Sequence, residues 1–130
     1  MAKEKILAVD SDPHVLELCL RSLSADGYIV EGAPGGRQAT EIARKEQFDL
    51  LLVDTLMPDL NGLEIYRAIQ EFTPVMIGVI ITGSKSTKNV IKALRLGFDD
   101  FVVKPFTTDW LSLTVPGLWI REEWRGRTPA

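Results

Sequence analysis

Two rhythms of apolar residues alternate along the chain. Short unbroken runs, Ile6-Leu7-Ala8-Val9 and Leu50-Leu51-Leu52-Val53, have the pattern of strands buried on both faces, as in a parallel sheet. Between such runs the apolar positions shift to helical spacing. Val15, Leu18, Cys19 and Leu23 stand at i, i+3, i+4 and i+8; Ala39, Ile42 and Ala43 share one helical face; Ile65, Ile69 and Phe72 recur at i, i+4 and i+7. Turn formers mark the joints. Asp12 and Pro13 suit an N-cap and a first helical turn, Gly27 suits a helix end, and Asn61 with Glu64 forms a capping box that opens a helix from about Gly62 to Phe72. Tyr28-Ile29-Val30 reads as the second strand, closed by the break Ala33-Pro34-Gly35-Gly36. Pro74 to Thr82 reads as the fourth and Phe101-Val102-Val103 as the fifth, with Gly83-Ser84 and Gly97 bounding the helix between them. This succession of β-α units predicts an α/β fold: a doubly wound five-stranded parallel sheet with helices on both faces and right-handed crossovers.

The last unit departs from the pattern. Thr107 or Thr108 can cap a helix beginning near Asp109, but Pro116-Gly117 falls about two turns in, which predicts a broken or sharply kinked helix and an irregular segment over 114–130. Trp110, Leu113, Leu118, Trp119 and Trp124 carry more apolar surface than two turns bury. They are expected to fold back onto the sheet in preference to forming a partner surface.

Length and composition narrow the picture. A chain of 130 residues fits one domain, with the core over about 5–113, and 45% hydrophobic with 25% charged residues is an ordinary globular balance. The formal net charge of −3 argues against nucleic-acid binding by bulk electrostatics, and the cluster Arg121, Arg125 and Arg127 reads as a solvated helix face. The one cysteine, Cys19, sits among Leu16, Leu18 and Leu20 and reads as a small buried apolar group, so reducing cytoplasm is the expected location. The N-terminus has no signal-like apolar segment, and no run approaches membrane-spanning length.

Chemistry collects at the strand ends. If all the strands are parallel, their C-terminal ends bring together Asp10 and Asp12, Asp54, Thr82 and Lys104, at the edge where open α/β sheets bind ligands. Carboxylates crowded in one pocket repel, and a hard divalent cation, most naturally Mg²⁺, would relieve them. A carboxylate can act as a nucleophile toward phosphorus, and a lysine and a hydroxyl suit the phosphoryl oxygens. Singly, a strand-end Asp is a cap, a Thr a satisfied hydroxyl and a Lys before Pro a surface residue. Their joint occurrence at four strand ends favours a site.

Val9-Asp10-Ser11-Asp12-Pro13, Asp54-Thr55-Leu56-Met57-Pro58-Asp59-Leu60-Asn61-Gly62, Ile81-Thr82-Gly83 and Gly97 to Phe106 with its Lys104-Pro105-Phe106 resemble the motifs of response-regulator receiver domains of two-component signalling, from about Lys5 to Leu113. The resemblance implies the flavodoxin-like strand order 2-1-3-4-5. It implies that Asp54 accepts a phosphoryl group from a histidine kinase or phosphotransfer protein, that Lys104 and Thr82 assist, and that Asp10, Asp12, Asp54 and the Leu56 carbonyl hold Mg²⁺. It further implies a cis Lys104-Pro105 bond, a switch through Thr82 and Phe101, and no enzymatic activity beyond self-phosphorylation and self-dephosphorylation. Leu56 and Ser84 would flank the hydrolytic water, and Leu56 has no polar group to hold it, so slow self-dephosphorylation is expected.

One position departs from the family pattern. Ser11 stands where a second adjacent carboxylate is usual, so metal binding is expected to be weak unless Asp12 leaves its cap to help. That substitution supports an alternative reading, an interaction module that is not phosphorylated. A haloacid-dehalogenase-type phosphatase, with Asp10 as nucleophile and Asp12 as acid/base, leaves Asp54 to Gly62 without a role, has His14 where Thr or Val belongs, and has Asp99-Asp100 before the lysine when the motif puts the acidic pair after it. His14 itself reads as a solvated side chain. The expected partners are a kinase, and a downstream target or an output domain outside this chain, with no direct nucleic acid and no membrane. The 87–113 face is open to a homodimer.

Overall fold

The computed structural model describes residues 4–55, 57, 59, 61–73, 75–83 and 87–127, with the backbone alone at 87–89 and 120–127. The chain runs β1 (Lys5–Val9), α1 (Pro13–Ala25), β2 (Ile29–Ala33), α2 (Gly36–Lys45), β3 (Leu50–Asp54), α3 (Gly62–Gln70), β4 (Ile77–Thr82), α4 (Thr87–Arg95), β5 (Asp100–Val103) and α5 (Thr108–Arg127). All strands are parallel, in the order β2-β1-β3-β4-β5, as the sequence implies.

The unbroken apolar runs have a direct structural cause. Successive side chains of a strand point to opposite faces, and here both faces are covered. Leu7, Val9, Leu51 and Val53 join Ala39, Ala43, Ile65, Ile69 and Phe98 in one core. Ile6, Ala8, Leu50 and Leu52 join Cys19, Leu23, Leu111, Val115 and Leu118 in the other. Burial pushes the Cys19 thiol up to about 12, which keeps it protonated and inert near neutral pH. β2 lies at the sheet edge with its centre half-exposed. It extends to Ala33, beyond the expected Val30, because Leu7 pairs with Glu31 and Val9 with Ala33.

The predicted caps form. Asp12 accepts from the His14 amide with Pro13 at the first helical position, and Asn61 accepts from the Glu64 amide. Gly27 and Gly97 end α1 and α4 at φ of 96° and 107°, a left-handed conformation that suits glycine.

At the C-terminus the expected break is corrected: α5 is one continuous helix from Thr108 to Arg127 with Pro116 inside it. Pro116 and Gly117 lie on the exposed side, while Leu111, Val115 and Leu118 anchor the buried side on either flank of the proline. Tertiary burial has overridden local propensity. The aromatics do fold back: Trp119 Nε1 donates to Tyr28 Oη at 2.8 Å, and Trp110 packs tilted against Phe106. Leu113 stays 81% exposed, and the side chain of Trp124 falls outside the described residues. No helix among the described residues is long and apolar enough to cross a membrane.

This arrangement makes α5 part of the core on both sides of its proline. Leu118→Ala should lower stability by roughly 2–5 kcal/mol, whereas Leu113→Ala should stay within about 0.5 kcal/mol of the parent. Urea denaturation checks both, and equal effects would place Leu118 outside the core.

Candidate functional site

The sheet register determines what meets at its C-terminal edge. Val9 pairs with Val53, Asp54 with Ile81 and Thr82 with Val103, so the ends of β1, β3, β4 and β5 lie side by side. Backbone hydrogen bonds continue past the strands: Asp10 N donates to Ala33 O at 3.2 Å, Thr55 N to Ile81 O at 2.9 Å, and Lys104 N to Thr82 O at 2.8 Å. The residues that follow or close each apolar run are thereby held at one edge.

Lys104 is the common partner. Its Nζ lies 2.7 Å from Asp10 Oδ2 and donates to Asp54 Oδ2 at 3.0 Å. Asp10 is only 1% exposed. Its Oδ1 accepts from the Asp12 amide at 2.8 Å, whereas Oδ2 has the ion contact with Lys104 and no aligned hydrogen bond. Burial, with a smaller contribution from the charge on Asp54, raises the Asp10 carboxyl above the usual range despite Lys104. Burial alone would lower Lys104, but its contacts with Asp10 and Asp54 outweigh this and raise it. An unpaired charge at Asp10 would be costly, so the ion pair is what permits a buried carboxylate here. With both acids ionised, two carboxylates and one ammonium leave one net negative charge.

The bond between Lys104 and Pro105 is cis. Thr82 is 3% exposed at the end of β4, while Phe101 on the edge strand β5 turns outward at 36% exposure. Leu56 and Ser84 lie outside the described residues.

Asp12 is engaged at the start of α1. Its Oδ1 accepts from the His14 amide at 2.9 Å and lies 3.3 Å from His14 Nδ1, and these contacts lower its carboxyl below the usual range. Among the described residues no three His, Cys, Asp or Glu side chains are grouped to hold a metal. The donor chemistry still suits Mg²⁺, which commonly takes one or two carboxylates and fills its shell with water and phosphoryl oxygens. Asp10 and Asp54 supply that pair, and the Asp10 oxygen without an aligned hydrogen bond is the observation that fits.

The loop following Asp54 has features the sequence reading did not use. Gly62 N donates to Thr55 O at 3.1 Å, and a Cβ on Gly62 would overlap the Asp54 carbonyl oxygen. Asp59 accepts from the Gly36 and Arg37 amides at the start of α2. A signal for it was present: Gly35 offers α2 no side-chain cap, so another segment had to supply one.

The comparisons agree with the geometry. A family model described as response regulator receiver domain matches residues 6–115. The chain is 36% identical over 114 residues to response regulator MprA of Mycobacterium leprae (strain TN), covering 88% of this chain and 50% of that protein. It is 34% identical over 104 residues to DNA-binding response regulator MtrA of Mycolicibacterium smegmatis, covering 80% and 45%. A receiver domain protein (CheY-like) from Methanospirillum hungatei JF-1 superimposes with a TM-score of 0.88 at 27% identity, over 95% of this chain and 99% of that one. The chain thus spans about half the length of these curated relatives. The expectation of no nucleic-acid partner finds no support in them, since one is named as DNA-binding.

The close approach of Gly62 makes a further prediction. Gly62→Ala should destabilise the fold by roughly 1–3 kcal/mol, read by urea denaturation, because the obstacle is a backbone atom. An unchanged midpoint would mean that the loop moves aside freely.

Proposed function

The chain belongs to the response regulator receiver domain family of two-component systems, and on that premise we propose that it accepts a phosphoryl group on Asp54 from a partner's phosphohistidine. The observation that carries the reading is the 3.0 Å hydrogen bond from Lys104 Nζ to Asp54 Oδ2 beside the buried Asp10. In the transfer an Asp54 carboxylate oxygen forms the new P–O bond as the donor's P–N bond breaks, and the electron pair of that bond stays on the imidazole nitrogen. Phosphoryl transfer asks mostly for alignment and charge neutralisation. Lys104 would release Asp54 Oδ2 to pair with a phosphoryl oxygen, and the Thr82 hydroxyl would donate to another. Asp10 and Asp54, with the Leu56 carbonyl that the family resemblance implies, would hold Mg²⁺, which would supply positive charge against the incoming oxygens. With Ser11 exposed and Asp12 engaged as a cap, that binding is weak.

The chain is, on this reading, a signalling acceptor with at most self-phosphorylation and self-dephosphorylation activity, acting in the cytoplasm. Its output passes through Thr82 and Phe101 to the face made by α4, β5 and α5. Exposed Ile91, Leu94, Phe101 and Leu113 on those elements, and a groove of about 610 Å³ lined by Phe101, Val103, Phe106 and Trp110, support a docking role for a target or a second copy of the chain. An attached output domain would fit the greater length of the relatives.

Intact-mass spectrometry after acetyl phosphate treatment is expected to show a gain of one phosphoryl group that requires Mg²⁺ and is absent in Asp54→Asn. Wild type left unmodified at saturating Mg²⁺ would overturn the reading. Leu56→Asn is expected to accelerate dephosphorylation by about tenfold, since general assistance to a positioned water commonly contributes at least that much; loss of the phosphoryl group over time, followed by mass, measures it.

A further inference from the structure

The β3–α3 loop meets the start of α2 through the side chain of Asp59. Residue 35, the N-cap of α2, is a glycine and brings no side-chain oxygen to the helix, while Gly36 is buried and needs a partner for its amide. Asp59 provides it from another segment: Oδ1 accepts from Gly36 N at 2.9 Å and Oδ2 from Arg37 N at 3.0 Å. A carboxylate at a helix N-terminus is also favoured by the helix dipole. Use of both oxygens fixes the orientation of the loop as well as its distance from the helix.

The same loop begins at the acceptor. Its base is tied to β4 by Thr55 N and Thr55 Oγ1, both donating to Ile81 O, and closed by Gly62 N donating to Thr55 O. Asp59 is its tie to α2. We propose that Asp59 is a positioning residue for phosphoryl transfer: by clamping the α2 N-terminus it holds the β3–α3 loop in the conformation in which Asp54 accepts the group. This rests on the phosphoacceptor reading above. Asp59 is argued to act through the loop and not on the phosphoryl group, so its loss acts on the fraction of correctly arranged loops. Transfer slows at saturating donor while the donor concentration for half-saturation changes little.

The test is the rate of Asp54 modification by acetyl phosphate in the full chain, across donor concentrations, for wild type, Asp59→Ala, Asp59→Asn and Thr40→Ala. Thr40 Oγ1 donates to Gly36 O within α2, so its variant alters the first turn of the same helix while leaving the Asp59 contacts in place. Asp59→Ala is expected to lower the saturating rate about tenfold with half-saturation shifted less than about twofold. Asp59→Asn, which keeps one acceptor oxygen, should fall between it and wild type, and Thr40→Ala should stay near wild type. If circular dichroism finds Asp59→Ala unfolded, Asp59→Asn decides: a wild-type rate overturns the inference and a slowed rate supports it. A folded Asp59→Ala at the wild-type rate overturns it, as does Thr40→Ala slowed equally, which would trace the effect to any change in the first turn of α2 and not to the clamp. Wild type that takes no phosphoryl group sinks the phosphoacceptor reading and this inference with it; a modified wild type with unaffected Asp59 variants sinks this inference alone.

Discussion

One ammonium shared by two carboxylates is the contact on which this molecule turns. Lys104 reaches Asp10 and Asp54 from a third strand end, and the contacts form only because β1, β3, β4 and β5 finish level. At an effective dielectric near 20, each close pair is worth a few kcal/mol before the cost of removing the charges from water. Asp10 bears most of that cost, being almost fully buried with only one aligned hydrogen bond, from the Asp12 amide. The sheet is therefore more than a scaffold. A one-residue slip of β3 would turn Asp54 to the opposite face and take from Lys104 one of its two carboxylates. The two buried cores, interlocked with alternate residues of each strand, oppose such a slip.

What was legible in the sequence is what depends on local chemistry and simple period. Apolar runs located the central strands, caps at Asp12 and Asn61 located helix starts, and Gly27 and Gly97 located helix ends. Strand ends then brought Asp10, Asp54, Thr82 and Lys104 to one edge once parallel pairing was assumed. What escaped depended on long-range partners. The course of α5 through Pro116 is decided by burial of Leu111, Val115 and Leu118 against the sheet, which no local propensity contains. Asp12 had two plausible employments, and the cap took it. Asp59 answers a need that arises at Gly36, in a different turn of the chain.

The same economy of contacts makes the site suited to register a change of charge. With the two acids ionised it carries one net negative charge, and its lysine is committed twice over. A phosphoryl group on Asp54 would add negative charge within reach of Lys104 and compete for it, so the lysine could not keep its present partners unchanged. Lys104 is also tied through its backbone, its amide donating to the carbonyl of Thr82 at 2.8 Å. The residue whose side chain would meet the new charge and the residue whose hydroxyl is proposed to follow it are thus joined by a backbone hydrogen bond at the ends of β4 and β5.

Phe101 stands on β5 three residues before that lysine, turned to solvent on a strand at the edge of the sheet formed by the described residues. A ligand shifts an equilibrium only by its differential interaction with two arrangements. On the proposed function, that differential interaction would be electrostatic and sit at Lys104, and the surface to respond would be Phe101 beside the groove lined by Phe106 and Trp110. Elements remote from this route answer to other constraints. α2 is fastened through Asp59 to the segment that follows β3, whereas β5 lies at the opposite edge region of the sheet beside the groove.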